Sequence, residues 1–215
     1  FSFTNPDDCS PAIRVNNRCT FKVIDSLFKD IHGKKLTYGS GIVYETNNKD
    51  RLNCNVEIVN TTFDNLGGRN GRAAFLKLAK FATIDNCTIK NMPDGGYILT
   101  IVHEGQQQGQ ARLNKVKFID NMANCKDGGG GSGLWLSQTE TYTLTECEFI
   151  RNTNTGDSNG GALGYTPGTS SNAKISLEFD HCFFQDNKVK SSFNGGSLYI
   201  KAQYRPVIIK GCVFL

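Results

Sequence analysis

Twenty acidic residues, three histidines and eight cysteines open carboxylate, imidazole, metal and thiol chemistry to a test by spacing. Cleavage of a polysaccharide by general acid and base needs carboxylates that converge on one groove. Glu45, Asp50, Glu104 and Glu140 could be brought to one edge by the loops around them. A second acidic set, Asp64, Asp120 and Asp186, alternates with Lys29, Lys90 and Arg151, and this pattern reads as a salt ladder rather than a catalytic cluster. His103-Glu104 opens like a zinc-protease motif, but the second histidine is missing at the required spacing. His32 and His181 stand alone and read as surface residues. Asn152-x-Asn154-x-Gly156-Asp157 has the look of a calcium loop without its acidic first ligand or closing glutamate. The glycines from Gly128 to Gly133 lack the lysine of a phosphate loop and read as a turn. No catalytic residue, cofactor or metal ligand is assigned.

The elements that carry these residues form a repeat. Phe28, Phe63, Ile89, Phe118, Phe149, Phe184 and Phe214 recur at a loose period near thirty residues. An alternating strand precedes each anchor, as in Tyr142-Thr-Leu144 and Ile175-Ser-Leu177. A small residue stands two before it: Cys87, Val116, Cys147, Cys182 and Cys212. An asparagine follows two or three residues later, at Asn65, Asn91, Asn121, Asn152 and Asn187, with Asp30 in that place in the first repeat. A variable loop and a glycine-led strand complete the unit, as in Gly131-Ser-Gly-Leu134, Gly160-Gly-Ala-Leu163 and Gly195-Gly-Ser-Leu198. Alternation puts each anchor and the small residue on one inner face, and stacked coils join those faces into a core. Asparagine suits a left-handed bend, and a column of asparagines can bond amide to amide.

The expected fold is therefore all-β: a right-handed parallel β-helix of about seven coils over residues 21–215, with an N-terminal cap over residues 1–20. Phe118, Phe149, Phe184 and Phe214 should form one inward stack, and Leu134, Leu163 and Leu198 another. Alternation points the lone Trp135 outward, where an exposed indole serves as a contact.

Phe118 to Asn121, Phe149 to Asn152 and Phe184 to Asn187, together with Gly160-Gly161-Ala162-Leu163, resemble the repeats of chlamydial polymorphic outer membrane proteins. The resemblance covers about residues 20–215. It implies a β-helix displayed on a surface, with adhesion as its role, and it implies no catalytic residue. Similar repeats occur in secreted proteins of protists. No autotransporter barrel is expected within these 215 residues.

Composition narrows the setting. The net charge is +4 and no basic run exceeds Lys34-Lys35, which argues against a nucleic-acid partner. No apolar run approaches the ~20 residues of a transmembrane span. A start at Phe1 fits a removed signal or a position inside a longer precursor. Eight cysteines without a C-x-x-C pair suit an oxidising, extracellular compartment, with buried thiols as the alternative. The predicted pairs are Cys182 with Cys212, Cys125 with Cys147, Cys54 with Cys87 and Cys9 with Cys19. Two sequons, Asn60-Thr-Thr62 and Asn86-Cys-Thr88, face outward on adjacent coils and leave room for one glycan at most.

Two functions compete. One is a secreted or cell-surface module without enzymatic activity, binding a protein or glycan in adhesion or assembly. The other is a carbohydrate-active enzyme, a polysaccharide lyase or glycoside hydrolase. A filament subunit is a variant of the first: the unfinished seventh coil would stack on a neighbour through Ile208, Cys212 and Phe214.

Overall fold

The computed structural model describes residues 11–16, 20–32, 40–46, 54–68, 72–77, 80–93, 95–103, 109–125, 131–138, 141–166, 176–190, 192–201 and 206–215. Among them every regular element is a β-strand. The strands stack in parallel as a β-solenoid of three seven-stranded sheets, with a fourth sheet of three short strands. In each circuit the chain contributes one strand to each main sheet, as with Leu134–Gln138, Thr141–Thr145 and Glu148–Ile150. Ile13–Asn16, inside the stretch expected to be a cap, is instead the first strand of the first sheet and pairs with Ile42–Glu45. Residues 1–10 lie outside the described residues.

The core follows from period-two alternation. In Thr141–Thr145, Tyr142 and Leu144 point in and are buried, while their neighbours stay half-covered. The parallel register then builds columns. Phe118, Phe149, Phe184 and Phe214 stack with ring centroids 4.7 to 4.8 Å apart and planes within 3° of parallel. Phe28 and Phe63 stack at 5.0 Å, and Ile89 interrupts the column. Leu134, Leu163 and Leu198 align on the inner face of the first sheet. That sheet is covered on its outer face too, where Val43, Phe75 and Val102 form a second buried cluster. Near-continuous apolar strands are the consequence of covering both faces.

Two tight bends frame the third sheet, and they hold every described non-glycine residue with a left-handed backbone. The bend before the sheet has Asp25, Asn60, Asn86, Lys115, Glu146 and His181, with φ from 48° to 53°. The bend after it has Asp30, Asn65, Asn91, Asp120, Arg151 and Asp186, with φ from 51° to 56°. Each residue of the second bend stands two after its anchor. The asparagines therefore do two different jobs. Asn65 and Asn91 turn the chain themselves, whereas Asn121, Asn152 and Asn187 come one residue later and face inward. There Asn121 Nδ2 donates to Asn152 Oδ1 at 2.8 Å, and Asn152 Nδ2 donates to Asn187 Oδ1 at 2.9 Å.

This offset corrects the expected ladder of alternating charges. Lys29, Asp64 and Lys90 align with Ile119 and Ile150, while Asp120, Arg151 and Asp186 fall in the neighbouring bend column. The set is two short runs one residue apart. Lys90–Asp64 at 3.6 Å and Arg151–Asp120 at 2.6 Å are its ion pairs.

The cysteine pairing also needs correction. Among the described residues Cys87, Cys147, Cys182 and Cys212 are free thiols. Cys54 opens the strand Asn55–Val59 and Cys87 follows the adjacent strand Phe81–Asp85, so the length of a five-residue strand, roughly 16 Å, lies between them, beyond disulfide reach. Cys125 lies against Asn154 and Gly156, in a different column from Cys147. Cys182 and Cys212 are neighbours in one column, with the Cys182 N–H donating to Cys212 Sγ at 3.3 Å. Cys9 and Cys19 lie outside the described residues.

Candidate binding surface

The bend before the third sheet is more than a corner. Its later levels, with the strand that follows, border a groove of about 590 Å³ lined by Asn86, Lys115, Lys117, Glu146, Glu148, His181 and Phe183. Two columns supply these side chains. Asn86, Lys115, Glu146 and His181 sit at the left-handed position. Lys117, Glu148 and Phe183 sit two residues on, in the outward column of the third sheet. Strand spacing sets successive levels ~4.8 Å apart, so the groove offers a graded series along the solenoid axis: two lysines, then two glutamates, then histidine beside phenylalanine.

The backbone choice here is costly. Left-handed backbone disfavours most side chains by about 1–2 kcal/mol, and asparagine and aspartate suffer least. The first three levels of this bend use Asp25, Asn60 and Asn86, which fit it. The next three use Lys115 and Glu146, which do not, and His181, which tolerates it better than they do.

These side chains are held in place. Lys117 Nζ lies 3.0 Å from Glu148 and Lys115 Nζ lies 3.9 Å from Glu146, each bridging two levels. His181 Nδ1 lies 2.8 Å from Asp180 Oδ1, and its ring rests on Gly211, where an added Cβ would meet the ring at 2.8 Å. Phe183 is half-buried and supplies an apolar wall. Fixed polar groups beside an apolar wall suit recognition of a polar ligand with one flat face.

The other residues singled out by their sequence pattern are scattered. Asn60 and Asn86 are exposed on adjacent levels, and Asn86 Nδ2 donates to Asn60 Oδ1 at 2.8 Å. Trp135 does point off the outer face of the first sheet, but it is half-covered and stacked on buried Tyr97 with centroids 4.3 Å apart. Its surroundings are packing rather than open surface. Ile208 and Phe214 are 45% and 47% exposed, beside exposed Ile209 and Leu215. Glu45 pairs with Arg14 at 3.1 Å, far along the solenoid from the groove, while Asp50, Glu104 and Glu140 lie outside the described residues. In the loop after Asn152, Asn154 Oδ1 accepts from the Gly156 N–H and Asp157 binds Lys190 Nζ at 2.8 Å, so both groups serve the fold. Among the described residues no group of three or more His, Cys, Asp or Glu side chains is placed to hold a metal ion, and no helix is long and apolar enough to cross a membrane.

By sequence His181 reads as a lone surface residue, and Lys115, Glu146 and Phe183 belong to no motif; the groove brings all four together. The signal that could have found them is the residue three before each anchor, where Asp, Asn, Asn give way to Lys, Glu, His. Comparison with family models, with curated proteins and with solved structures gave no match.

Proposed function

We propose that this chain is a non-enzymatic extracellular surface module for adhesion or structural assembly, and that the groove before the third sheet is its contact face for a glycan or protein partner. The observation that carries this reading is the use of Lys115 and Glu146 at left-handed positions where asparagine fits better, in a groove completed by His181 and Phe183. Strain of this kind concentrates at functional sites; Arg151 has the same backbone in the other bend but is offset by two bonds to Asp120, whereas Lys115 has only a 3.9 Å contact with Glu146. The resemblance to chlamydial surface repeats points the same way. In this reading the solenoid is right-handed, as crossovers between parallel strands generally are. It has about seven coils and the chain is secreted.

The competing reading, a polysaccharide lyase or glycoside hydrolase, would place acid–base chemistry on Glu146 and Glu148. Glu148 is paired with Lys117 at 3.0 Å and Glu146 lies 3.9 Å from Lys115, which favours a polar contact surface over a proton shuttle. A glycan panel probed with the 215-residue chain separates the two. A surface module should retain particular glycans unchanged, and Phe183→Ala should weaken retention at least tenfold. Release of new sugar ends by the wild type, lost in Glu146→Gln or Glu148→Gln, would establish the enzyme instead. Secretion from a eukaryotic host gives a separate check: the intact mass should show a single glycan, and Asn60→Gln should move it to Asn86.

A further inference from the structure

The inner corner between the second and third sheets carries a column of small side chains: Thr61, Cys87, Val116, Cys147, Cys182 and Cys212. Its last three members are thiols on consecutive levels. Cys182 is the middle one and touches both others. Its N–H donates to Cys212 Sγ at 3.3 Å, and its thiol, bonded to the Leu144 carbonyl at 3.4 Å, stands one level from that of Cys147. Cys147 and Cys182 are buried, while Cys212 is half-exposed in this chain. One half-open thiol backed by two in line is an arrangement for passing a disulfide inward.

From this geometry we propose that Cys212, Cys182 and Cys147 form a thiol–disulfide exchange site for small disulfides, with Cys182 as the shared resolving thiol. The oxidant is a low-molecular-weight disulfide, R–S–S–R. Cys212 thiolate attacks one of its sulfurs; the S–S bond breaks, one R–S⁻ leaves, and a Cys212–S–S–R mixed disulfide remains. Cys182 thiolate then attacks Cys212 Sγ and expels the second R–S⁻. The protein loses two protons and two electrons, and the external disulfide becomes two thiols. Cys147 can attack Cys182 in turn, moving the bond one level inward and freeing Cys212. Levels ~4.8 Å apart satisfy disulfide reach for either pair.

Burial raises the Cys212 thiol above its ordinary value, so its attack on the external disulfide is the slow step; the surroundings suit the two inner roles better. The hydrogen bond from the Cys147 thiol draws the Cys182 thiol below its ordinary value, which favours it as the attacking group. Burial pushes Cys147 up, so it waits as the thiol. Cys87 is the built-in control: it shares the column, but its neighbours are Thr61 and Val116, and burial pushes it up to about 11.

The test treats the 215-residue chain with oxidised glutathione, traps free thiols by alkylation and maps peptides without reduction. The wild type should lose two hydrogens at the column, as Cys182–Cys212 with a minor Cys147–Cys182 isomer. Cys182→Ser should instead accumulate glutathione on Cys212, at least tenfold above wild type, with no bond in the column. Cys212→Ser should slow oxidation at least tenfold and leave only Cys147–Cys182. Circular dichroism of each variant confirms the β-fold, and Cys87 should stay unmodified throughout. A column that stays reduced in the folded wild type, or a Cys182→Ser variant with no more adduct than wild type, overturns the proposal.

Discussion

Lys115 shows how a single residue can carry both strain and contact. Its φ of 53° suits asparagine better, and its amine has only a 3.9 Å contact with Glu146 to offset that. Lys115→Asn should therefore raise stability by about 0.5–1 kcal/mol in urea unfolding, while weakening glycan retention. Stabilisation with loss of binding is the signature of a residue kept for function. Asp120 gives the opposite case. The Arg151 guanidinium, bonded to it through two nitrogens, holds its carboxyl below the ordinary 3.8. A lowered folded value means that the pair's contribution is present above pH 3.8 and is lost as pH falls through the lower folded value. Asp120→Asn should flatten the wild-type stability slope in that acid window and change it little above. Unfolding midpoints measured across about pH 2–6 check this, and identical slopes would rule the pair out as a contributor.

At the scale of the element, two parallel columns hold the third sheet in register, one apolar and one polar. Phe149 lies between Phe118 and Phe184 with no exposed surface, so Phe149→Ala should cost about 3–5 kcal/mol by opening a cavity at the centre of the stack. Asn152 is equally buried. Its Nδ2 bonds the Phe118 carbonyl at 2.9 Å as well as Asn187, and its Oδ1 accepts from Asn121. Asn152→Ala leaves those partners unmatched and should cost about 1–3 kcal/mol. Urea denaturation measures both, and the ranking should reverse in neither urea nor heat. Gly160 and Gly195 serve the same element: both have positive φ, and a Cβ on either would strike the carbonyl oxygen three residues on.

For the molecule as a whole, a solenoid is stabilised level by level, so an open layer is its weak point. In the 215-residue chain the inward column ends on Ile209 and Phe214, both about half exposed, with unpaired strand edges around them. Such an edge recruits another layer. Light scattering of this chain should show association that grows with concentration, and Phe214→Asp should abolish it. A monomer at the highest concentrations reached would exclude stacking through this face. Fusion of any natural continuation of the chain should also suppress the association by supplying the next layer.

Periodicity alone determined the parallel solenoid, the inward phenylalanine and leucine columns and the last three members of the amide ladder, because alternation and repeat length are properties of the chain itself. Asn121, Asn152 and Asn187 stood out for that reason. Which residues share a level is a different matter. The spacing from anchor to asparagine is two in some repeats and three in others, and only the three-dimensional register revealed that the bend sits at a constant offset while the asparagine moves. That one-residue difference split the expected charge ladder. The thiols obeyed the same rule. Cys87, Cys147, Cys182 and Cys212 were legible as a column, whereas Cys54 and Cys125 required coordinates, since their spacing carries no record of which corner they turn. The groove was the least legible feature. Its residues lie on four consecutive circuits, 29 to 35 residues apart, and stacking through backbone hydrogen bonds is what brings Lys115, Glu146 and His181 to one face.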